Sequence, residues 1–584
     1  MKTLDTLNKY ITPSLFLTLR GMCFFVCLVI TSGLQAEQNL IPKKAPIQLE
    51  YTPPSANTQN LKGAPSAVTI TSAGKPNEIK DRLIKISRIR LQGDTLYPEY
   101  GITNEFLHTR INQVYSHMNE KLSISDMNKI ADALTLAYRE KGLTFNQAFV
   151  TPQEIVGSTL TIHVLKGTLA EIDIYNNELF STEQLIAPFA ELIGKVIYEP
   201  NIKKVVESLN EQPGLKIFSF FSVGLNQGEA RLNIKVMEET QHTSQLIVDN
   251  KGVSQTGINR LLISHTINNP LHQFGQLRTT ILTTNEPNNL FGSLSYNFPV
   301  NPTNQIELSM LRSDFAVTGQ FSNLGLEGDL TSLEASWVNR PDQFRPTNLL
   351  HQRRLSLSTK KSAVTSEAFP EFLNESVDYT ALSGSYQLHA LRPWQSNSQH
   401  IITIRPTFSH ISSTDNKVLP SHFWLVNASY DFMTPRWADI FPLQHPFRLS
   451  AKGQYTPKQL PSSEQFTTTG STANRGFEPG IFSGDIAYSL SLEQAVDWSI
   501  DLSNHSKSIF LQPFIFFDYS YGKLNQNIDL AARFKSAGFG LEINYEGFAK
   551  TNITIGHPID DNVSSQLNDD RKHSVIYALF SLSF

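Results

Sequence analysis

Apolar and polar residues alternate through the C-terminal part of the chain, from about residue 241 to residue 584. One clear run includes Ile486, Tyr488, Leu490 and Leu492, which share one face, while small polar residues share the other. Alternation with a period of two residues predicts a strand that has one apolar side and one polar side. Sixteen segments of this kind, separated by turns rich in Asn, Pro, Gly and Ser, begin near His242, Gly257, Gly275, Leu290, Asn304, Asp329, His351, Asp378, His400, His422, Phe447, Gly484, Ser508, Phe534, Glu546 and Ser574.

Strands with one apolar side suit either a soluble sandwich, in which that side faces the core, or a membrane barrel, in which it faces lipid. The final segment favours the barrel, because Ile576, Phe580 and Phe584 lie on one face and the strand ends in an aromatic residue. The outer-membrane barrel-assembly machinery reads such a terminal strand. We therefore predict an all-β, 16-stranded antiparallel transmembrane barrel over residues 241–584, with Phe584 as its assembly signal and with that machinery and membrane lipid as partners.

The residues before the barrel show helical as well as strand periodicity, in the order β-α-α-β-β, and this order occurs twice. The first set comprises strand 84–93, helices 104–116 and 123–141, and strands 146–152 and 158–165. The second set comprises strand 169–175, helices 182–192 and 199–209, and strands 217–223 and 230–236. Two sets are too few for a solenoid, so we predict two tandem α+β domains, at residues 81–167 and 168–240.

The N-terminal residues indicate export. Residues 1–36 predict a secretory signal, because basic residues precede a short apolar run and small or polar residues follow it up to Ala36. Residues 37–80 carry scattered prolines and predict a linker. The two cysteines of the chain, Cys23 and Cys27, both lie in the predicted signal, so we expect no disulfide, thiolate metal site or thiol nucleophile in the mature protein.

Composition and motifs give no indication of chemistry. A net charge of -4 with 17% charged residues gives no reason to expect a nucleic-acid partner. The chain has no G-x-S-x-G, H-E-x-x-H or Walker motif, so we predict no enzymatic activity, no cofactor and no metal site. We interpret His265, His410 and His445 as polar residues of the rim or lumen, and the acidic residues Glu493 and Asp518 as structural rather than catalytic.

Several segments resemble a known family, the two-partner secretion transporters (TpsB) of the ShlB/FhaC/HecB haemolysin secretion/activation type. This family is a branch of the superfamily that includes the barrel-assembly protein BamA. The two α+β sets resemble polypeptide-transport-associated (POTRA) domains. The segments that carry the resemblance are Ala148–Ile155, Leu160–Gly167, Leu209–Leu215, Val248–Arg260 and Ser295–Pro299.

The most specific part of the resemblance is a loop at 456–483, between two predicted strands. Its four-residue tip, Asn474, Arg475, Gly476 and Phe477, resembles the Val-Arg-Gly-aromatic tip of the family's sixth extracellular loop, with Asn474 in place of the usual valine. In the family this loop folds back into the barrel lumen, and its arginine meets an aspartate on a nearby strand.

The resemblance assigns the aspartate to Asp518, in a segment where the family pattern continues to a glycine and this chain has Ser520. Strand parity agrees, because Ile515 and Phe517 belong to the apolar, lipid-facing side and Asp518 belongs to the other side. Glu493 is predicted to face the same lumen and is the alternative partner for Arg475.

The resemblance implies an outer-membrane protein of a Gram-negative bacterium, with its POTRA domains in the periplasm. These domains would bind one large unfolded exoprotein (TpsA-like), and the barrel would export it without hydrolysing nucleotide. An assembly or insertase factor of the same superfamily and a passive porin are the alternatives. The client could be an adhesin, a cytolysin or a contact-dependent toxin. A plug helix, present in some members, stays open here because residues 37–51 are rich in proline.

Overall fold

The computed structural model describes residues 83–584 apart from 286–288, 342–347, 371–373, 392–397, 417, 435–445, 503–506, 526–529, 546 and 564–572. The predicted signal at 1–36 and the predicted linker at 37–80 lie outside the described residues. The described chain divides into two compact units, of which one contains residues 239–584 and the other contains residues 83–211 and 215–238.

The smaller unit consists of two α+β domains. The first contains β1 (Ile84–Lys85), β2 (Arg88–Gly93), α1 (Asn104–Tyr115), β3 (Lys121–Leu122), α2 (Ile124–Glu140), β4 (Gln147–Phe149) and β5 (Thr159–Leu165). The second contains β6 (Thr168–Tyr175), α3 (Thr182–Ile186), α4 (Glu199–Asn210), β7 (Leu215–Val223) and β8 (Glu229–Glu239). Their sheets have the orders β2-β5-β4 and β6-β8-β7, and the central strand of each sheet runs parallel to the first-named strand, β5 to β2 and β8 to β6. The two domains therefore have the same topology.

Local chemistry accounts for the helices of these domains. Ser123 caps α2 by accepting a hydrogen bond from the backbone N–H of Asp126, whose carboxylate in turn accepts one from the backbone N–H of Ser123. The apolar stripe of α2, which includes Ile130, Leu134 and Tyr138, is buried in the core of the first domain. The predicted helix 182–192 is α-helical only to Ile186 and continues as a 3₁₀ helix over Ala187–Leu192, because Pro188 cannot donate a backbone hydrogen bond to the preceding turn.

The larger unit is a closed antiparallel barrel. Its spanning strands are β9 (His242–Asp249), β10 (Arg260–Asn268), β11 (Gln276–Thr284), β12 (Leu290–Asn301), β13 (Asn304–Ala316), β14 (Leu326–Asn339), β15 (Leu349–Ser366), β16 (Glu375–Leu391), β17 (Gln399–Thr414), β18 (His422–Thr434), β19 (Phe447–Tyr455), β22 (Ile486–Ala495) with its continuation β23 (Trp498–Leu502), β24 (Lys507–Lys523), β25 (Ala531–Tyr545), β26 (Ala549–Val563) and β27 (Val575–Ser583). The short strands β20 (Phe466–Thr467) and β21 (Ser483–Gly484) pair with each other in a separate two-stranded sheet that is not part of the barrel wall.

The prediction of sixteen spanning strands is confirmed. β22 and β23 both pair with β24 and count as one strand, and β9 pairs with β27 to close the ring. The first residue of each strand lies within three residues of the predicted one. The largest differences are three residues, as for β10, which is predicted to begin near Gly257 and begins at Arg260. No helix among the described residues is long and apolar enough to cross a membrane.

Side-chain exposure separates the two faces of the barrel wall. On β24, Ile515 is 63% exposed whereas Asp518 is 0% exposed. On β27, Phe580 is exposed and Tyr577 is buried. The predicted parity is therefore correct on both strands: alternate residues face outwards and the others face inwards. Not all inward residues are polar, because Phe291 belongs to an apolar cluster that spans β9 to β15.

Candidate functional site

The segment between β19 and β22 folds into the barrel and carries the predicted loop tip. Asn474 and Phe477 are buried against inward-facing side chains of the wall. The pairing of β20 with β21 brings the two ends of this loop together. The loop tip therefore lies against the inner wall, and we define residues 474–477 with their wall contacts as the tip anchor.

Arg475 makes the densest set of polar contacts in the tip anchor. Its Nε and Nη2 atoms donate to the two carboxylate oxygens of Asp518, at 2.9 and 2.8 Å. Its backbone N–H also donates to Asp518, at 2.9 Å. Ser491 accepts a hydrogen bond from Nη2 at 2.8 Å and donates one to Asp518 at 2.7 Å. The forked guanidinium is thus fixed in both position and orientation.

Arg475 also contacts the alternative acidic residue. Its Nη1 atom donates to Glu493 at 2.8 Å, and the other carboxylate oxygen of Glu493 accepts from Arg448 at 2.8 Å. The guanidinium carbon lies 3.7 Å from the centre of the Phe516 ring, within reach of a cation–π interaction. Burial lowers the pKa of Arg475, but the nearby carboxylates of Asp518 and Glu493 raise it by more. The net effect is a raised pKa, so the guanidinium is charged. Arg475 therefore bridges both candidate partners.

Asn474 occupies the position where the family pattern has valine. Its side-chain N–H donates to the carbonyl of Phe534 at 3.1 Å, and its side-chain oxygen accepts from Ser536 at 2.6 Å. The same amide nitrogen lies 3.4 Å from the hydroxyl oxygen of Ser520. Ser520 occupies the position where the family pattern has glycine, so the two departures from the pattern lie side by side in the folded protein.

The loop backbone lies close to the wall at Gly476. Its N–H donates to Ser536 at 3.1 Å. A β-carbon added to Gly476 would lie 2.2 Å from the β-carbon of Ser536. A β-carbon added to Gly556 on β26 would lie 2.2 Å from the carbonyl oxygen of Arg475. Glycine is therefore required on both sides of this contact.

Phe477 attaches the tip to the last strands of the barrel. Its ring packs edge-on against Phe534 of β25, with 5.0 Å between the ring centres. Its carbonyl oxygen accepts a hydrogen bond from the hydroxyl of Tyr577 on β27, at 2.7 Å. The tip anchor therefore extends over β22, β24, β25, β26 and β27.

Sequence reasoning placed Asp249, Asn250 and Arg260 in a family-like segment without assigning roles to them. In the structure Arg260 binds Asp249 through two hydrogen bonds, of 2.7 and 2.9 Å, which joins β9 to β10. The side chain of Asn250 bonds the carbonyl of Ile576 at 2.8 Å and the N–H of Ala578 at 2.7 Å. Asn250 thus continues the seam between the first and last strands beyond the end of β9. Because Asn250 makes these bonds with its side chain, the alternation of apolar and polar residues could not indicate its role.

The other predicted residues have simple surroundings. Phe584 pairs through its backbone with Ser244 on β9, and its ring is exposed. His265 lies beside His242, and His410 faces His422 across β17 and β18. His445 lies outside the described residues. Among the residues that the structure describes, no group of three or more His, Cys, Asp or Glu side chains is arranged to hold a metal ion.

A profile of the haemolysin secretion/activation protein ShlB/FhaC/HecB matches residues 228–545, which is more than half of the chain. The chain belongs to this family. A profile of the ShlB-type POTRA domain matches residues 84–167, the first α+β domain. The family resemblance found in the sequence is thus confirmed, and it covers both kinds of domain.

Individual relatives agree with this assignment. The heme/hemopexin transporter protein HuxB of Haemophilus influenzae (strain 86-028NP) is 23% identical over 486 residues, covering 80% of this chain and 82% of HuxB. The outer membrane transporter CdiB of Escherichia coli is 25% identical over 421 residues, covering 66% of this chain and 65% of CdiB. The solved structure of CdiB from Acinetobacter baumannii superposes with a TM-score of 0.60 at 17% identity, covering 97% of this chain and 99% of that structure.

Membership fixes the general role of the chain. The family consists of outer-membrane transporters that secrete partner proteins by two-partner secretion, and it is not a class of enzymes. The chain is accordingly an outer-membrane barrel with periplasmic POTRA domains, and its implied partner is a secreted exoprotein.

Proposed function

We propose that this transporter binds one unfolded exoprotein through its periplasmic domains and conducts it through the barrel lumen without nucleotide hydrolysis. The observation that carries the proposal is the loop fixed inside the lumen by Arg475, Asp518 and Glu493. A simple diffusion pore needs an open aqueous channel, whereas here ion pairs hold a loop inside the lumen. The periplasm supplies no ATP, so folding of the client outside the cell would bias its movement outwards.

The binding step is supported by an exposed strand edge in the second α+β domain. β7 is the outer strand of the β6-β8-β7 sheet, so one side of its backbone has no neighbouring strand in that sheet. Phe218 and Phe220 on β7 are 57% and 45% exposed, and their rings lie 6.2 Å apart. An extended client segment adding to this edge would gain backbone hydrogen bonds, and the rings would contact its apolar side chains. This mode of binding tolerates many client sequences.

Replacing both Phe218 and Phe220 with serine should weaken client binding about tenfold, or roughly 1.4 kcal/mol, because two exposed aromatic contacts are lost. The measurement uses a fragment of residues 76–239, in which the first domain has an apolar core and the second buries Leu185, Phe189 and Leu232. Its ligand is the unfolded amino-terminal part of the exoprotein that this transporter secretes. Leu136→Ser, at an exposed position on α2, is the matched control and should bind normally. If the unaltered fragment does not bind while the full protein secretes, the client is recognised by another part of the transporter and the proposed binding step is wrong.

Deleting Phe584 should sharply lower the amount of assembled barrel, measured as the heat-modifiable fraction in the outer membrane. The deletion removes two backbone hydrogen bonds to Ser244 at the seam together with the terminal aromatic ring. Phe584→Ala separates these two contributions, because it keeps the backbone bonds and loses only the ring. Phe548→Ala, at another exposed aromatic residue, should assemble normally. Normal assembly of the deletion variant would contradict the assignment of Phe584 as an assembly signal.

A further inference from the structure

The inward loop is held at a second place, before its tip. The carboxylate of Glu464 accepts a hydrogen bond from the ammonium of Lys360 on β15 and another, of 2.6 Å, from the hydroxyl of Tyr379 on β16. The same tyrosine hydroxyl lies 3.1 Å from the hydroxyl oxygen of Ser463. Burial raises the pKa of Glu464, but its contacts with Lys360 and Tyr379 lower it by more. The net effect is a lowered pKa, so the carboxylate is charged.

Apolar packing supports this second attachment. Leu460, on the loop, is buried in a cluster with inward-facing residues of β16, β17 and β18, including Tyr379 and Phe423. The N–H of Leu460 donates to the carboxylate of Asp485 at 3.0 Å. We define Leu460, Ser463 and Glu464, with their wall contacts, as the proximal anchor.

The two anchors hold the loop at separate parts of the barrel wall. Counted around the ring from β9, Lys360 and Tyr379 lie on the seventh and eighth strands, and the wall contacts of the tip anchor lie on the twelfth to sixteenth strands. The loop therefore runs through the lumen between two attachment points, in the region through which a polypeptide would have to pass.

The two anchors differ in strength. At the tip, a guanidinium makes four side-chain hydrogen bonds to two carboxylates and a hydroxyl, and glycines allow close contact of the backbones. At the proximal anchor, one ammonium and one phenol hold a single oxygen of the Glu464 carboxylate, while Gln454 and Asp485 bond the loop backbone at Glu464 and Leu460. An ammonium is a point charge without the geometry of the guanidinium fork, so it holds the carboxylate with less directional constraint. The ion pair of the proximal anchor is therefore the less constrained of the two ion pairs that hold the loop.

The strands that carry Lys360 and Tyr379 also carry a row of small hydroxyl side chains. Ser336, Ser356, Ser383 and Thr407 are register partners that form one inward-facing row across β14 to β17. Ser336 and Ser356 lie 2.8 Å apart, and Ser383 and Thr407 lie 3.0 Å apart. Small uncharged hydroxyl groups can donate to or accept from any peptide group, whatever the client sequence.

We propose that Lys360, Tyr379 and Glu464 form a releasable latch that holds the loop across the lumen. When the latch opens, the segment that carries Glu464 leaves the β15–β16 wall while the Arg475 tip stays in place, and a passage opens along the hydroxyl-lined wall. The latch is thus a positioning device that acts through the loop. Its role in secretion rests on the proposed export function, whereas its effect on the width of the lumen does not.

The first test measures channel behaviour in planar lipid bilayers. Glu464→Gln and Lys360→Met should each raise the time spent at high conductance at least about tenfold, because each leaves the latch without its ion pair. Lys361→Met is the matched control: this neighbouring lysine is 69% exposed on the outer side of β15 and should leave conductance unchanged. Conductance like that of the unaltered protein in both latch variants, with normal heat-modifiability, would overturn the latch.

The second test locks the latch. Lys360→Cys with Glu464→Cys provides two thiols in a chain whose other cysteines are Cys23 and Cys27, and a reducible bismaleimide can join them. Secretion of the exoprotein should fall when the link is made and recover when it is reduced. Full secretion by the linked protein would overturn the latch. Absence of secretion by the unaltered protein, with conductance raised in the latch variants, would instead contradict the export function and leave the latch standing.

Discussion

Replacing Arg475 with alanine is expected to abolish or strongly reduce secretion of the exoprotein while the barrel still inserts into the outer membrane. The change removes the contacts of the Arg475 side chain with Asp518 and Glu493 and leaves the Asp518 carboxylate, which is 0% exposed, without a cationic partner at this site. Breaking a buried ion pair costs about 3–5 kcal/mol, and less where water reaches the site. The measurement compares exoprotein in the medium with the heat-modifiable barrel in the membrane.

Two further variants make this result specific. Arg475→Lys should rescue secretion poorly, because an ammonium cannot bind Asp518 and Glu493 in the same forked geometry. Arg312→Ala should secrete normally, since Arg312 also binds an aspartate, Asp314, but does so on an exposed part of the wall. Equal secretion by the alanine, lysine and unaltered proteins would show that Arg475 belongs to a simple solvated turn.

Gly556→Val is expected to reduce secretion to a similar degree while keeping every charge of the tip anchor. The first atom of the new side chain would lie 2.2 Å from the carbonyl oxygen of Arg475, so the loop tip would have to leave the wall. Overpacking of this kind typically costs about 1–3 kcal/mol. Valine is otherwise favoured in strands, so the barrel itself should assemble. Secretion is measured per unit of heat-modifiable barrel.

Gly384→Val is the matched control for Gly556→Val. Gly384 also lies in a spanning strand, β16, and a β-carbon there would meet no atom within 4 Å. It should therefore secrete normally. If both valine variants secrete normally, close seating of the tip against β26 is unnecessary for transport, whatever the charges contribute.

The sequence predicted the strands well because one-sided burial imposes a two-residue period. Strand starts such as Leu290, Asn304 and His422 are the observed ones, and the parity around Asp518 is correct. Alternation states which side of the wall a residue faces, but it does not state what lies opposite. Asn250, Glu464 and Tyr577 were assigned no roles for this reason, because their partners are distant in sequence.

Asn474 and Ser520 illustrate the same limit from another side. Each is a small departure from the family pattern when it is considered alone in the sequence. The structure places the amide nitrogen of Asn474 3.4 Å from the hydroxyl oxygen of Ser520, beside the Arg475 contact. Only the fold shows that the two departures belong together.

The strands that receive the loop tip, from β22 to β27, all follow the loop in the chain. The seam that closes the barrel joins side chains as far apart in sequence as Gln245 and Ser581, 336 positions from one another. Closure of so long a loop of chain comes late in folding, since its entropic cost must be met before the contacts form. A half-built barrel therefore offers the loop no complete seat, and the bond from Tyr577 to Phe477 forms only when the last strand has arrived. Protection of the loop from protease should consequently appear together with barrel closure, so this protection reports the final step of assembly.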